Sequence, residues 1–352
     1  MPRPRSVYRG ESRPVWILTL AVSVLAVLIL FAVWLFYHMQ QYMVYDKDGA
    51  RLVLPSARGE TQADTSAPAP DGADFTPIEV EIVVDKTDYS AAEGTDAEGL
   101  RAIHGRFVPA ESVTEATLTA YASSMGGCDA LALELKTASG QLSYASALPL
   151  AGSYAVNGTA DLTDSIAKLR EQNVYLIAQL SCLADGMMAL RNAPAAMRDA
   201  YGAIYLQSGQ AFLDPYREVT RGHLAGLLEE LAALGFDEVL LTGLYLPADG
   251  ENLRYSGEMT VQPDAESAVS SLAFFLREKA DALGLRLSAA ADREGAGQDY
   301  AVFFKAFDRV AYDAADLEMR TALVTALGSA DGTRIVPAGV FSAPESGSYL
   351  YK

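Results

Sequence analysis

The reactive side chains that recur at the ends of apolar runs in this chain are carboxylates, hydroxyls, one amide, one imidazole and two cations. Glu134, Asp249 and Asp313 are the candidate acids. His104, Arg106, Lys136, Gln179, Ser181, Asp214, Thr242, Tyr245 and Asp292 are candidate substrate-binding groups. Chemistry open to such a set is cleavage of a glycosidic bond, which takes two carboxyls about 5–5.5 Å apart for retention or about 6.5–9.5 Å apart for inversion. No motif selects one pair. Glu134 alternates with Leu133 and Leu135, so on a strand Glu134 and Lys136 share the inward face while the leucines meet helices. There Glu134 is either a general acid or half of an interior ion pair with Lys136 or Arg106, since buried charge demands a partner.

Other chemistries find no footing in the sequence. With 3 histidines and neither H-E-x-x-H nor C-x-x-C, no metal ligand set is expected. A G-x-S-x-G elbow is missing as well, and no cofactor is implied. The net charge of −18 repels phosphate backbones, which excludes nucleic acid as the expected partner and leaves neutral sugars or proteins.

The elements that must position these groups alternate. Apolar strand-like runs begin near Leu100, Ala130, Val174, Glu238, Leu285, Arg309 and Arg334, and Ser348 to Tyr351 supplies an eighth. Helical patterns cover Val113 to Met125, Asp161 to Glu171, Met187 to Ala200, Tyr216 to Leu234, Ala265 to Leu283 and Asp316 to Leu327. Strands apolar on both faces and separated by helices predict a parallel α/β fold, a (β/α)8 TIM barrel. A Rossmann sheet would need a glycine-rich turn after its first strand, and Val108, Pro109, Ala110 and Glu111 stand there instead. Asp214 is placed to cap a helix opened by Pro215, Gly235 to stop it, and Ile204 to Leu213 to form a hairpin about Ser208 and Gly209. Ile78 to Val84 reads as an extra strand, and His223 as a surface residue. Cys128 precedes the second strand and Cys182 ends the third, so they fall at opposite ends of the sheet and are expected to be free thiols.

Val15 to Tyr37 is an uncharged apolar run long enough, at about 1.5 Å per residue, to cross a bilayer core of about 30 Å. Arg3, Arg5, Arg9 and Arg13 precede it, which by the positive-inside rule puts the short tail in the cytoplasm and the remainder outside. No small-residue cleavage site follows, so the run is expected to be an uncleaved signal anchor. Those four arginines and Glu11 give the tail +3, so the total of −18 leaves −21 for the rest. Ser56 to Thr76 is rich in Ala, Pro, Ser, Thr and Asp without apolar periodicity, the composition of a disordered linker. The expected organisation is therefore a cytoplasmic tail at 1–14, a transmembrane helix at 15–37, a juxtamembrane segment and linker at 38–76, and the barrel at 77–352.

Three segments carry a family resemblance. Asp214, Pro215 and Tyr216, followed by Gly235, Phe236, Asp237, Glu238 and Pro247, match a pattern like W-[VL]-D-P-Y, a helix, then G-F-D-E-[IV]-x-F-D-Y-[VI]-R-F-P. LELKTASG at Leu133 to Gly140 resembles I-D-V-K-D-D-S-G, and VYLIAQLS at Val174 to Ser181 resembles I-Y-[VL]-I-A-R-I. The chain resembles, over roughly Leu100 to Phe341, a bacterial glycoside hydrolase-like TIM-barrel family of unknown function. It departs from the pattern at charged positions: Thr242 stands for an aspartate, Tyr245 and Gln179 for arginines, and Glu134 for aspartate. The resemblance implies a sugar-related site whose acid has been replaced by Thr242. Three roles compete: a non-catalytic or weakly catalytic envelope domain binding a glycan or protein, a glycosidase using Glu134 with a second carboxylate, and a structural assembly protein.

Overall fold

The computed structural model describes residues 43–46, 49–52, 86–95, 99–149, 161–248, 253–255, 263–293, 295–341 and 346–351. The chain divides into two compact units, Met1–Ile78 and Glu79–Lys352. In the first, Met43–Asp46 pairs antiparallel with Gly49–Leu52. The expected membrane span, the linker, the strand at Ile78 to Val84 and Asp249 lie outside the described residues. Among the described residues no helix is long and apolar enough to cross a membrane.

The second unit is built on a closed barrel of eight parallel strands. In chain order these are β1 (His104–Val108), β2 (Ala130–Lys136), β3 (Tyr175–Ser181), β4 (Glu238–Thr242), β5 (Arg286–Ala290), β6 (Arg309–Asp313), β7 (Ile335–Val340) and β8 (Tyr349–Tyr351). Every strand pairs with the next one in sequence, and β8 closes on β1. Each begins within a few residues of the apolar run that predicted it, because a strand buried on both faces is written as continuous hydrophobic sequence. The helices are α1 (Glu115–Ser123), α2 (Thr163–Glu171), α3 (Gly186–Arg191), α4 (Glu218–Leu234), α5 (Ala265–Leu283), α6 (Tyr300–Ala306) and α7 (Leu317–Leu327).

Alternation along the strands splits the apolar residues into two cores. Ile103, Ala130, Ala132, Ile177, Leu240, Ala311, Val336 and Leu350 fill the barrel. Leu131, Leu133, Leu176, Ala178, Val239, Leu241, Leu287 and Val310 belong to a second cluster that they share with Leu227, Leu228 and Leu231 of α4 and Leu272 and Leu276 of α5.

Several helix starts are fixed by local chemistry: Thr114, Asp185, Asp264, Asp299 and Asp316 each accept a backbone N–H of the first turn. Gly235, Gly284 and Gly328 end α4, α5 and α7 in the left-handed conformation. The hairpin forms as expected, Leu206–Gln207 against Gln210–Ala211, with Ser208 and Gly209 both at positive φ.

Three local expectations are corrected. Met187 to Ala200 is not one helix: α3 stops at Arg191, a 3-10 turn at Ala193–Ala195 contains Pro194, and Arg198–Asp199 then pairs with Leu253–Arg254. Proline has no N–H to continue an α-helical ladder. Asp214 does not cap α4, which begins later with Arg217 at its N-cap. Its Oδ1 accepts the Tyr216 N–H at 2.9 Å and its Oδ2 lies 3.4 Å from Arg217 Nε, so it shapes the turn that leads into the helix. His223 is buried on α4 rather than at the surface.

Candidate functional site: the mouth of the barrel

At the C-terminal ends of the strands a cavity of about 860 Å³ opens, lined by Phe107, Gln179, Leu240, Thr242, Ala311, Asp313, Ala338, Phe341 and Leu350 among others. This is where TIM barrels place reactive groups, because the strand ends and the loops beyond them converge there. Its floor is apolar, since Leu240, Ala311, Ala338 and Leu350 are the last inward-facing layer of the barrel core. Three of the predicted residues meet in it: Gln179 from the end of β3, Thr242 from the end of β4 and Asp313 from the end of β6. Asp313 is exposed at the rim, its Oδ1 accepting the Ala315 N–H at 2.9 Å. Thr242 Oγ1 lies 3.5 Å from the Leu180 carbonyl, and Phe341, 86% exposed, stands at the edge.

Glu134 is half-buried on β2, register partner of Gln179, and its Oε2 accepts the Ala110 N–H at 3.1 Å. That bond ties the carboxylate to the turn after β1, and Glu134 does not line the cavity. Asp292 and Tyr245 lie on loops beside the mouth. The Asp292 N–H donates to Gln298 Oε1 at 2.8 Å, and Tyr245 packs 6.0 Å from Phe212 and against Gly295.

Other predicted residues belong elsewhere. His104 begins β1 and stacks on Tyr349 at 4.9 Å, with Nδ1 4.0 Å from Asp129 Oδ2, at the opposite end of the barrel from the mouth. Arg106 points to the helix layer, 6.0 Å over the Tyr121 ring of α1. Ser181 is buried and its hydroxyl donates to the Ala184 carbonyl at 2.7 Å.

Lys136 is the most informative correction. A bulge in β2 breaks the register between Glu134 and Lys136, so that Lys136 pairs opposite Leu180 instead of continuing the inward face. The side chain is 1% exposed, its Nζ 2.9 Å from Asp185 Oδ2, and it also donates to the Ser181 carbonyl. The interior ion pair is therefore Lys136 with Asp185, not with Glu134. Asp185 was not singled out from sequence, although its place before α3 is an N-cap signal. Gly140 belongs to the same arrangement: at φ 89° it adopts the left-handed turn, and a Cβ there would collide with the Asp185 carboxylate.

Burial sets the nearby titrations. His223 is pushed down to about 4, first by desolvation and then by the Lys136 ammonium, and the Cys182 thiol is pushed up to about 12 by its complete burial. Both cysteines are free, as their positions at opposite strand ends predicted. Among the described residues no group of three or more His, Cys, Asp or Glu is placed to hold a metal ion.

The opposite end of the barrel is also polar, and sequence reading did not anticipate it. Glu238, 2% exposed, pairs with Arg309 and accepts the hydroxyls of Ser288 and, at 2.9 Å, Tyr175. Asp129, Asp237 and Asp308 each stand just before a strand and accept an N–H from the preceding strand or its start, at 2.8, 2.8 and 2.9 Å. The Asp-Glu step of the G-F-D-E segment is thus a fastening of the barrel floor and not a part of the mouth.

No curated protein matches the chain in sequence. Among solved structures, a hypothetical protein from Ruminiclostridium thermocellum ATCC 27405 is 19% identical over 52% of this chain and 96% of its own, at a TM-score of 0.45. Aspergillus fumigatus Ega3 in complex with galactosamine is 14% identical over 70% and 80%, at 0.43. The glycoside hydrolase domain of PelA from Pseudomonas aeruginosa is 16% identical over 66% and 82%, at 0.40. Residues 109–295 match a family described as "Putative glycosyl hydrolase domain", and the chain belongs to that family.

Proposed function

We propose that this domain binds a neutral glycan or an envelope protein through the barrel mouth without hydrolysing it, or hydrolysing it only weakly. The observation that carries the reading is the make-up of the strand ends: Thr242 ends β4 in the cavity, and Asp313 is the carboxylate among the described lining residues. A threonine hydroxyl neither stabilises an oxocarbenium ion by charge nor donates a proton at a useful pKa. An apolar floor with Phe107 and Phe341, fringed by Gln179, Thr242 and Asp313, offers ring faces for stacking and partners for hydroxyl groups. The domain is held outside the cell by the signal anchor at Val15 to Tyr37, a reading supported by the length of that apolar run and the arginines before it.

A glycan array probed with the full chain in detergent tests the binding. Weak retention on one class of neutral glycan is expected, reduced about tenfold or more by Phe341→Ala together with Asp313→Asn, each of which removes a rim contact exposed to solvent. Retention that those changes leave intact would place binding elsewhere.

A further inference from the structure

The floor of the barrel carries a second cavity, about 390 Å³, lined by Arg101, Arg170, Arg286 and Arg309 with Asp237 as its carboxylate among the described residues. Four guanidiniums beside one lining carboxylate are out of keeping with a chain of net charge −18. The guanidiniums are held in place by specific contacts. Arg101 lies 4.7 Å over one ring, Tyr175, and Arg309 lies 5.9 Å from the same ring. Arg170 rests on Gly235, where a Cβ would sit 2.5 Å from its Nη1, so the glycine that ends α4 also makes room for this arginine.

Two of the four guanidiniums, those of Arg309 and Arg286, are already matched by carboxylates. Glu238 pairs with Arg309. Asp308 is shared between Arg277 and Arg286, at 2.9 and 3.0 Å. Asp237 Oδ2 accepts the Leu176 N–H at 2.8 Å. Among the described residues Arg101 and Arg170 have no carboxylate partner. Arg309 is occupied by Glu238 and by the Thr333 and Arg101 carbonyls, so an anion entering the recess is held by Arg101 and Arg170, whose planar donors make charge-assisted hydrogen bonds that match an oxyanion.

We infer that this arginine-lined recess on the N-terminal face of the barrel is a binding site for a small tetrahedral oxyanion, a phosphate or the phosphate end of a monoester. It lies at the opposite end of the barrel from the mouth and is independent of what the mouth binds.

Thermal unfolding of the full chain in detergent, with inorganic phosphate added at constant ionic strength against chloride, tests the assignment. Phosphate at about tenfold its dissociation constant should raise Tm by about 3 °C beyond chloride. The rise should vanish in the Arg101→Gln/Arg170→Gln double variant, whose side chains are exposed and so leave the core intact, and persist in Arg191→Gln, on α3 away from the recess. A parallel titration with glycerol 1-phosphate separates the sources: a larger rise than with phosphate identifies an ester such as a lipid headgroup, and an equal or smaller one identifies the free ion. No rise with either anion, or a rise undiminished in the double variant, would overturn the site.

Discussion

Lys136, a residue the family pattern retains, shows at the scale of single residues how a charge can be legible while its role is not. Alternation predicts that it faces inward with Glu134, but one bulge carries it against Asp185. A bulge depends on hydrogen bonding between strands and leaves no mark in the residue pattern of one strand. That a buried charge here must be paired was legible; the partner, far along the chain, was not. His223 lies beside this pair, and its burial has a measurable consequence. Because its folded pKa is depressed to about 4, the unfolded chain binds more protons between its ordinary value near 6.5 and that point. Stability from neutral His223 is therefore present above about pH 6.5 and lost as pH falls toward 4, up to about 3 kcal/mol. Urea melts of the wild type and His223→Gln across that window should converge as pH falls. Parallel pH profiles would show that the imidazole is not buried as described.

At the scale of elements, boundaries followed how much of each element's periodicity survives burial. Helix α5 keeps a polar face, and its observed span, Ala265–Leu283, coincides with the periodic pattern that predicted it. Helix α6 was missed: Val302, Phe303, Phe304 and Ala306 are all buried, so its seven residues show no polar stripe, and Asp299 as N-cap was the signal available. The mouth was legible as a set of strand ends, which gave Gln179, Thr242 and Asp313. His104 and Arg106 were misplaced because β1 begins at His104, after Leu100, so both lie too early on the strand and on its outer face. The packing of α4 makes a sharp prediction. Leu228 is 1% exposed in the layer between helices and strands, so Leu228→Asp puts an unpaired charge there and should cost about 3 kcal/mol or more in a denaturant melt. Near wild-type stability would mean that another face of the helix meets the barrel.

For the whole molecule, the proposed arrangement is a barrel tethered outside the cell, with Ser56 to Thr76 between it and the membrane. Protease added to right-side-out protoplasts should cut in that segment and release a folded fragment, because a compact unit resists cleavage and the Ala-, Pro-, Ser-, Thr- and Asp-rich composition of the segment is that expected of an accessible linker. Protection of the domain until lysis would reverse the orientation. Within the barrel, charge and shape are divided between two ends, an apolar mouth with Asp313 at its rim and an arginine-rich floor fastened by Glu238 and Asp308. The mouth is proposed to recognise its ligand without cleaving it, since Thr242 lines it at the strand end where the family pattern has an aspartate. Turnover by the full chain in detergent, over a broad panel of aryl glycosides and cell-wall polysaccharides, tests this most directly. The account predicts no turnover above the uncatalysed rate, or a trace at most. Robust turnover that Glu134→Gln or Asp313→Asn abolishes would contradict it.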